Sequence, residues 1–201
     1  RLGASPLHMV KTRQGASLQK FMPLYLIILF PLVGFLINGL IGAKLPKPIP
    51  GVIAALAVLA SFVVAVINFL QLPNANFKIA ETLYTWMSVG KLFSVDVSFL
   101  LDQLSGVMIL VITGIGFLIH LYSVGYMEHD HNDPDGKLYA RYFGWLNLFV
   151  AFMSLLVLAD NYLLMLVGWE GCGWCSCFLI GFWFKREDPD QPRTRTFIGT
   201  T

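Results

Sequence analysis

Five apolar stretches follow one another in this chain, at about 24–43, 51–70, 100–124, 142–158 and 161–184. Between them they hold two charged side chains, Asp102 and Glu170. A hydrocarbon core of about 30 Å takes about 20 apolar residues of helix to cross. Inside it, every backbone N–H and C=O has to pair within the protein, which favours helices. The expected fold is therefore an all-α membrane protein with about five transmembrane helices. Five such runs in succession argue against a soluble protein with buried core helices. Pro31 falls inside the first run, where neighbouring helices can satisfy the carbonyl that a proline leaves open.

Composition agrees. The 201 residues are 56% hydrophobic and 13% charged, with a mean hydropathy of +0.67, against about 25% charged in ordinary globular domains. The net charge of +2, with no basic run interleaved with aromatics, excludes a nucleic-acid partner and leaves the lipid bilayer as the first one. The three cysteines, Cys172, Cys175 and Cys177, all lie in the fifth run and do not form a disulfide framework. No nucleotide, flavin, iron–sulfur or nucleophile motif occurs.

The connections differ in kind. Lys44–Pro50 is short and proline-stiffened, and 159–160 is very tight. The stretch Tyr84–Phe99 carries strand-like residues around Gly90 and reads as a short hairpin or an interfacial segment. Residues 1–21 carry four basic residues and no apolar run. They read as a non-native or upstream leader before a natural start at Met22, and residues 185–201 as a polar tail or truncation point. With five crossings, Lys44, Lys47, Lys137, Arg141, Lys185, Arg186, Arg193 and Arg195 share one side, and Lys78 and Lys91 the other. The positive-inside rule puts the larger group in the cytoplasm.

Glu170 is the first candidate for chemistry. It lies nine residues past Asn161, about 14 Å along a helix and near mid-membrane. A carboxylate there costs roughly 2.5–3.5 kcal/mol on insertion scales and is generally kept for proton or ion handling. Burial favours the neutral acid and a nearby cation favours the anion, so a moving lysine partner could switch it. The alternative is a glutamate hydrogen-bonded statically between helices. Gly168, Cys172 and Ser176, with Gly171 and Cys175 on the adjacent row, are small residues at helix-packing spacing; they are expected to set Glu170 against protein rather than lipid. Packing also explains the thiols better than a metal does, since Cys172-Gly-Trp-Cys175 has no second pair.

His120, inside the third run, is either a satisfied structural histidine or a member of a proton path. The acids and histidines of Glu128–Asp135 suit a solvated loop. Asp102 suits a helix N-terminus, and Asp160–Asn161 a turn and N-cap.

Four segments resemble one family. Phe99-Leu-Leu-Asp-Gln-Leu-Ser-Gly-Val-Met108, Phe117-Leu-Ile-His-Leu-Tyr-Ser-Val-Gly-Tyr-Met127, Tyr142-Phe-Gly-Trp-Leu-Asn-Leu-Phe149 and Leu166-Val-Gly-Trp-Glu-Gly-Cys-Gly-Trp-Cys-Ser176 are similar to the subunit L / chain 5 family of NADH-quinone oxidoreductase (respiratory complex I). The residues from Met22 resemble that family's N-terminus, so the similarity covers about Met22 to Phe184. The resemblance implies the N-terminal part of an antiporter-like helical bundle that helps couple electron transfer from NADH to quinone to proton translocation. The glutamate of the family's Gly-Trp-Glu-Gly motif, a proton-transfer residue, falls on Glu170. The implied partners are the other complex I membrane-arm subunits, and NADH, flavin, iron–sulfur clusters and quinone belong to partner subunits rather than to this chain. The implied location is the inner (plasma) membrane of a bacterium, with the mitochondrial inner membrane as the alternative. Cys172 and Cys177 depart from the family's usual small aliphatic and aromatic residues. The family's relay lysine falls beyond Thr201, so the chain reads as an N-terminal fragment. A subunit of a multisubunit cation/proton antiporter and an inactive truncated product are the competing readings.

Overall fold

A computed structural model describes residues 21–89, 93–128 and 136–183. The expected leader (apart from Phe21), residues 129–135 of the expected 125–141 loop and the tail lie outside the described residues; the rest of that loop belongs almost wholly to helix, 125–128 and 137–141. Five helices and one hairpin follow in order: α1 (Tyr25–Leu40), α2 (Ile49–Gln71), β1 (Lys78–Val89), β2 (Phe93–Asp102), α3 (Gln103–Glu128), α4 (Lys137–Leu158) and α5 (Tyr162–Ile180). The last four helices are long and apolar enough to cross a membrane. The first has 16 residues, about 24 Å of helix, and ends three residues earlier than expected. Beyond it, the backbone tightens into a 3-10 turn at Gly42–Lys44.

α4 is the central helix, packed by α1, α2, α3 and α5. Its inner surface is built from Phe143, Val150, Ala151 and Leu158. α1 runs unbroken through Pro31. The proline cannot donate to the carbonyl of Ile27 four residues earlier, and the Ser61 hydroxyl of α2 donates to that oxygen instead.

The all-α expectation holds for the membrane-spanning part and needs amending outside it. β1 and β2 pair antiparallel from Lys78↔Asp102 to Val89↔Phe93, with register shifts between Thr82 and Tyr84 and between Thr85 and Met87. Leu100, Leu101 and Asp102, expected at the start of the third helix, belong to β2. The base of the hairpin is tied to the helices at several points. Ile79, Phe99 and Leu101 pack in one apolar cluster with Leu24, Ile27, Ile109, Leu158 and Leu164. Glu81 accepts a hydrogen bond from the Leu24 amide at 2.5 Å. The Asp160 amide donates to Ser98 O at 3.1 Å. Asn161 caps α5 by accepting from the Leu164 amide at 2.9 Å, as expected of it, and its Nδ2 donates to Asp96 O at 2.7 Å.

These ties fix the sides. The start of α1, the hairpin and the α4–α5 turn share one end of the bundle. The α1–α2 turn and the start of α4 share the other, where Lys47 lies against Gly136. Lys44, Lys47, Lys137 and Arg141 thus fall at one end and Lys78 at the other, as expected of these five; Lys91, Lys185, Arg186, Arg193 and Arg195 lie outside the described residues.

Candidate functional site

Asn161 starts α5, so Glu170 is carried about 12 Å along a helix of about 28 Å. It has the near-central depth that its position in the apolar run implied. Among the described residues it faces away from α4. α5 lays its small residues on α4: a Cβ on Gly168 would come within 2.7 Å of the Leu156 amide nitrogen, and one on Gly171 would enter the Phe152 ring. Cys175 is fully buried on the same side. Near the other end of the contact, Trp145 of α4 stacks on Phe178 at 4.2 Å between ring centroids. Two residues along a helix is a rotation of about 200°. The packing that holds Gly168 to α4 therefore turns Glu170 away from it.

Glu170 is exposed on the outer face of α5. It lines an open groove with Gly173, Trp174, Cys177 and Phe178, and it has no ion-pair partner among the described residues. The small-residue rows are thus the α4 contact, and the carboxylate belongs to the opposite face. Trp169 and Trp174 flank it, both about two-thirds exposed.

His120 is brought to a different place. It is fully buried between α3 and α4. Its Nδ1 lies 2.7 Å from Gly116 O, one turn back on its own helix, and its ring is 6.2 Å from that of Phe143. Asn147 of α4 lies on the turn that follows Phe143, on the stretch of α4 that faces His120 and Gly116. α4 turns its Trp145–Phe152–Leu156 row to α5 and Asn147 about 160° away from that row. His120 and Glu170 therefore stand on opposite sides of α4 and form two separate polar positions.

Asn147 is a residue that sequence reasoning passed over. Other buried polar side chains also lie inside the bundle, including Asn38, Ser61, Asn68, Thr113 and Ser154. The available signal was amides and hydroxyls inside otherwise apolar runs, which in membranes mark helix–helix contacts. Asn38 shows such a contact, donating to Pro50 O at 3.1 Å.

Asp102, the last residue of β2, immediately precedes α3. Its Oδ1 accepts from the Ser105 amide at 2.7 Å, and the Ser105 hydroxyl accepts from the Asp102 amide at 2.8 Å, a reciprocal capping arrangement. The Ser105 amide, then the Ser105 hydroxyl, hold the Asp102 carboxyl below the usual carboxylate range. Cys172, Cys175 and Cys177 are free thiols. Among the described residues, no three His, Cys, Asp or Glu side chains converge on a point where a metal ion could sit.

Fold and site together define a multi-pass membrane helix bundle with an acid on one open helix face. The chain is homologous to the subunit L / chain 5 family of NADH-quinone oxidoreductases. Residues 86–143 match the family model for the N-terminus of NADH-ubiquinone oxidoreductase (complex I) chain 5. NADH-quinone oxidoreductase subunit L of Buchnera aphidicola subsp. Schizaphis graminum is 39% identical over 178 residues, 88% of this chain and 28% of the relative. The subunit L of Escherichia coli K12 is 38% identical over the same shares. NADH-ubiquinone oxidoreductase chain 5 of Hypocrea jecorina is 35% identical over 172 residues, 86% of this chain and 24% of the relative. The chain thus spans about a quarter of the length of these relatives.

Proposed function

We propose that this chain is part of an antiporter-like membrane-arm subunit of an NADH-quinone oxidoreductase, in which Glu170 is an intramembrane proton-relay carboxylate and His120 a second protonatable group. Electron transfer from NADH to quinone, with its flavin and iron–sulfur centres, belongs to partner subunits; this chain contributes to proton translocation. The observation that carries the reading is the facing of Glu170. It stands half-way along an apolar helix, on the face that α4 leaves open, among Gly173, Trp174 and Cys177. A carboxylate kept there at a cost of roughly 2.5–3.5 kcal/mol is available to a cationic partner approaching that face. Such a partner would lower its proton affinity, and withdrawal of the partner would raise it.

Glu170→Gln in the intact subunit tests this. The amide keeps size and polarity but cannot ionise. Proton translocation is expected to fall several-fold while the complex still assembles, and normal translocation in a fully assembled Glu170→Gln complex would refute the relay role. Affinity purification of the intact protein tests the assembly. Flavin- and iron–sulfur-bearing subunits are expected to accompany it; recovery with antiporter subunits alone would assign it to a cation/proton antiporter instead.

A further inference from the structure

The geometry around His120 carries a more specific conclusion about the neighbouring helix. A carbonyl oxygen only accepts hydrogen bonds, so the contact of Nδ1 with Gly116 O at 2.7 Å places the proton of the neutral ring on Nδ1 and leaves Nε2 bare. Asn147 lies on α4 one turn past Phe143, whose ring is 6.2 Å from the imidazole, and short of Val150, which faces Gly116 one turn back from His120; Asn147 and His120 are both fully buried. Nε2 of His120 and both amide atoms of Asn147 nevertheless have no hydrogen bond of regular geometry among the described residues. Asn147 stands where four helices meet. A Cβ on Gly34 of α1 would collide with its Nδ2 and come within 2.9 Å of Ala57 on α2, so the glycine leaves the carboxamide its room. Buried polar atoms are rarely left unpaired, and these three lie on facing turns of α3 and α4.

We propose that Asn147 is a positioning residue for His120 that serves both of its protonation states. In the neutral state the carboxamide N–H donates to bare Nε2. When Nε2 takes a proton from a hydronium ion, the carboxamide turns over and its Oδ1 accepts from Nε2–H; release to water reverses the step, and no other bond changes. An amide carries donor and acceptor on one rotor, whereas a leucine offers neither and a carboxylate offers only acceptors. The surroundings leave this task to Asn147. α2 has no ionisable side chain and α1 only Tyr25, at its far end. α4 adds Lys137, Tyr139, Arg141 and Tyr142 in its first two turns, of which the Tyr139 and Tyr142 rings pack on Phe143. α3 itself adds Tyr122, Tyr126 and Glu128 toward its end. None of α1, α2 and α4 carries a carboxylate. The consequence for proton transport rests on the function proposed above; the placement of Asn147 beside His120 does not.

The test uses the intact membrane complex with isotope-labelled histidine. Infrared difference spectra, native minus His120→Gln, isolate the ring bands of His120 whether or not the complex pumps. The native ring is expected to show the Nδ1–H tautomer and to convert to imidazolium on acidification. In Asn147→Asp it is expected to be imidazolium already at neutral pH, because a carboxylate favours the charged ring. In Asn147→Leu it stays neutral where the native ring has converted, and proton translocation falls at least threefold. Gly34→Ala, which crowds the turning amide, gives a loss of the same kind. A native Nε2–H tautomer, or His120 bands unmoved in Asn147→Asp, would overturn the proposal, as would normal translocation in Asn147→Leu. Asn147→Asp, isosteric with the native residue, keeps the test decisive where the leucine variant does not assemble. Should Glu170→Gln pump normally while the Asn147 variants still move the His120 bands, the relay role of Glu170 falls and this pairing stands.

Discussion

The hydroxyl of Ser61 donates to the carbonyl of Ile27, the acceptor that Pro31 deprives of its own helix's N–H. One side chain on α2 thus compensates a defect in α1, and both groups are buried. Ser61→Ala is expected to destabilise the bundle by about 1 kcal/mol, within the range for polar contacts between membrane helices. Pro31→Ala restores the Ile27 acceptor to an N–H of α1. In the Pro31→Ala background, Ser61→Ala should therefore cost less than in the native chain. Thermal unfolding of the detergent-solubilised protein across this double-mutant cycle measures the coupling. Equal costs in both backgrounds would show that the serine and the proline are independent.

Asn161 holds two structures at once. Its Oδ1 caps α5 at the Leu164 amide and its Nδ2 ties Asp96 O of the hairpin. Asn161→Asp keeps the cap and loses the tie, because a carboxylate cannot donate to a carbonyl. Asn161→Ala loses both. The expected order is native, then Asp, then Ala, with the cap alone contributing about 0.5–2 kcal/mol. Hydrogen exchange separates the two roles. In Asn161→Asp the β2 amides around Ser98 should exchange faster while the first turn of α5 keeps its protection; in Asn161→Ala both lose it.

The membrane helices were legible because apolar runs of that length have few other uses. The hairpin was legible only around Gly90. Its base, Phe99-Leu-Leu-Asp102, is an apolar run continuous with α3, and such a run does not distinguish strand from helix by period. The pairing of Leu101 with Ile79 decides it, and that contact is invisible without the fold. The depth of Glu170 followed from counting residues. That it lies on the side of α5 away from α4 also follows from arithmetic, since the Gly168 row and Glu170 differ by about 200° on a helix. Asn147 was passed over because an uncharged amide does not interrupt an apolar run as a carboxylate does, and its significance appears only when four helices converge on it.

Asp102 gives the chain an acid-sensitive cap at the head of α3. The Ser105 amide and hydroxyl hold its carboxyl below the usual range. A carboxylate depressed in the folded state adds stability that is fully present above its unfolded pKa of about 3.9. That stability is lost as the pH falls through the lower folded value. Asp102→Asn retains an acceptor oxygen without the charge and has no such dependence. The native protein should therefore protect the first turn of α3 better than Asp102→Asn at neutral pH. The advantage should persist to about pH 4 and disappear below it. Hydrogen exchange at the Ser105 amide as a function of pH reads this directly, and a constant difference across the range would exclude the carboxylate as its source.

The contact of α5 with α4 depends on two glycines that are not equivalent. A Cβ at position 168 meets Leu156 backbone, at 2.7 Å from its nitrogen and 2.8 Å from its Cα, whereas one at 171 meets the Phe152 ring. Backbone in a packed helix cannot yield, but the Phe152 side chain can swing about χ1. Gly168→Ala is therefore expected to cost at the upper end of the overpacking range of about 1–3 kcal/mol, and Gly171→Ala at the lower end. Gly173 lies on the open face, where a Cβ would meet nothing within 4 Å. Gly173→Ala should gain helix propensity of about 1 kcal/mol. Thermal unfolding in detergent should rank the three as Gly173→Ala above native, Gly171→Ala below it and Gly168→Ala lowest. Because Glu170 is carried on this helix, Gly168→Ala should also reduce proton translocation in the assembled complex, through displacement of the carboxylate, while Gly173→Ala leaves the α4 contact intact. A Gly168→Ala protein as stable as the native one would mean that α5 does not approach α4 this closely, and the outward facing of Glu170 would then lose its structural basis.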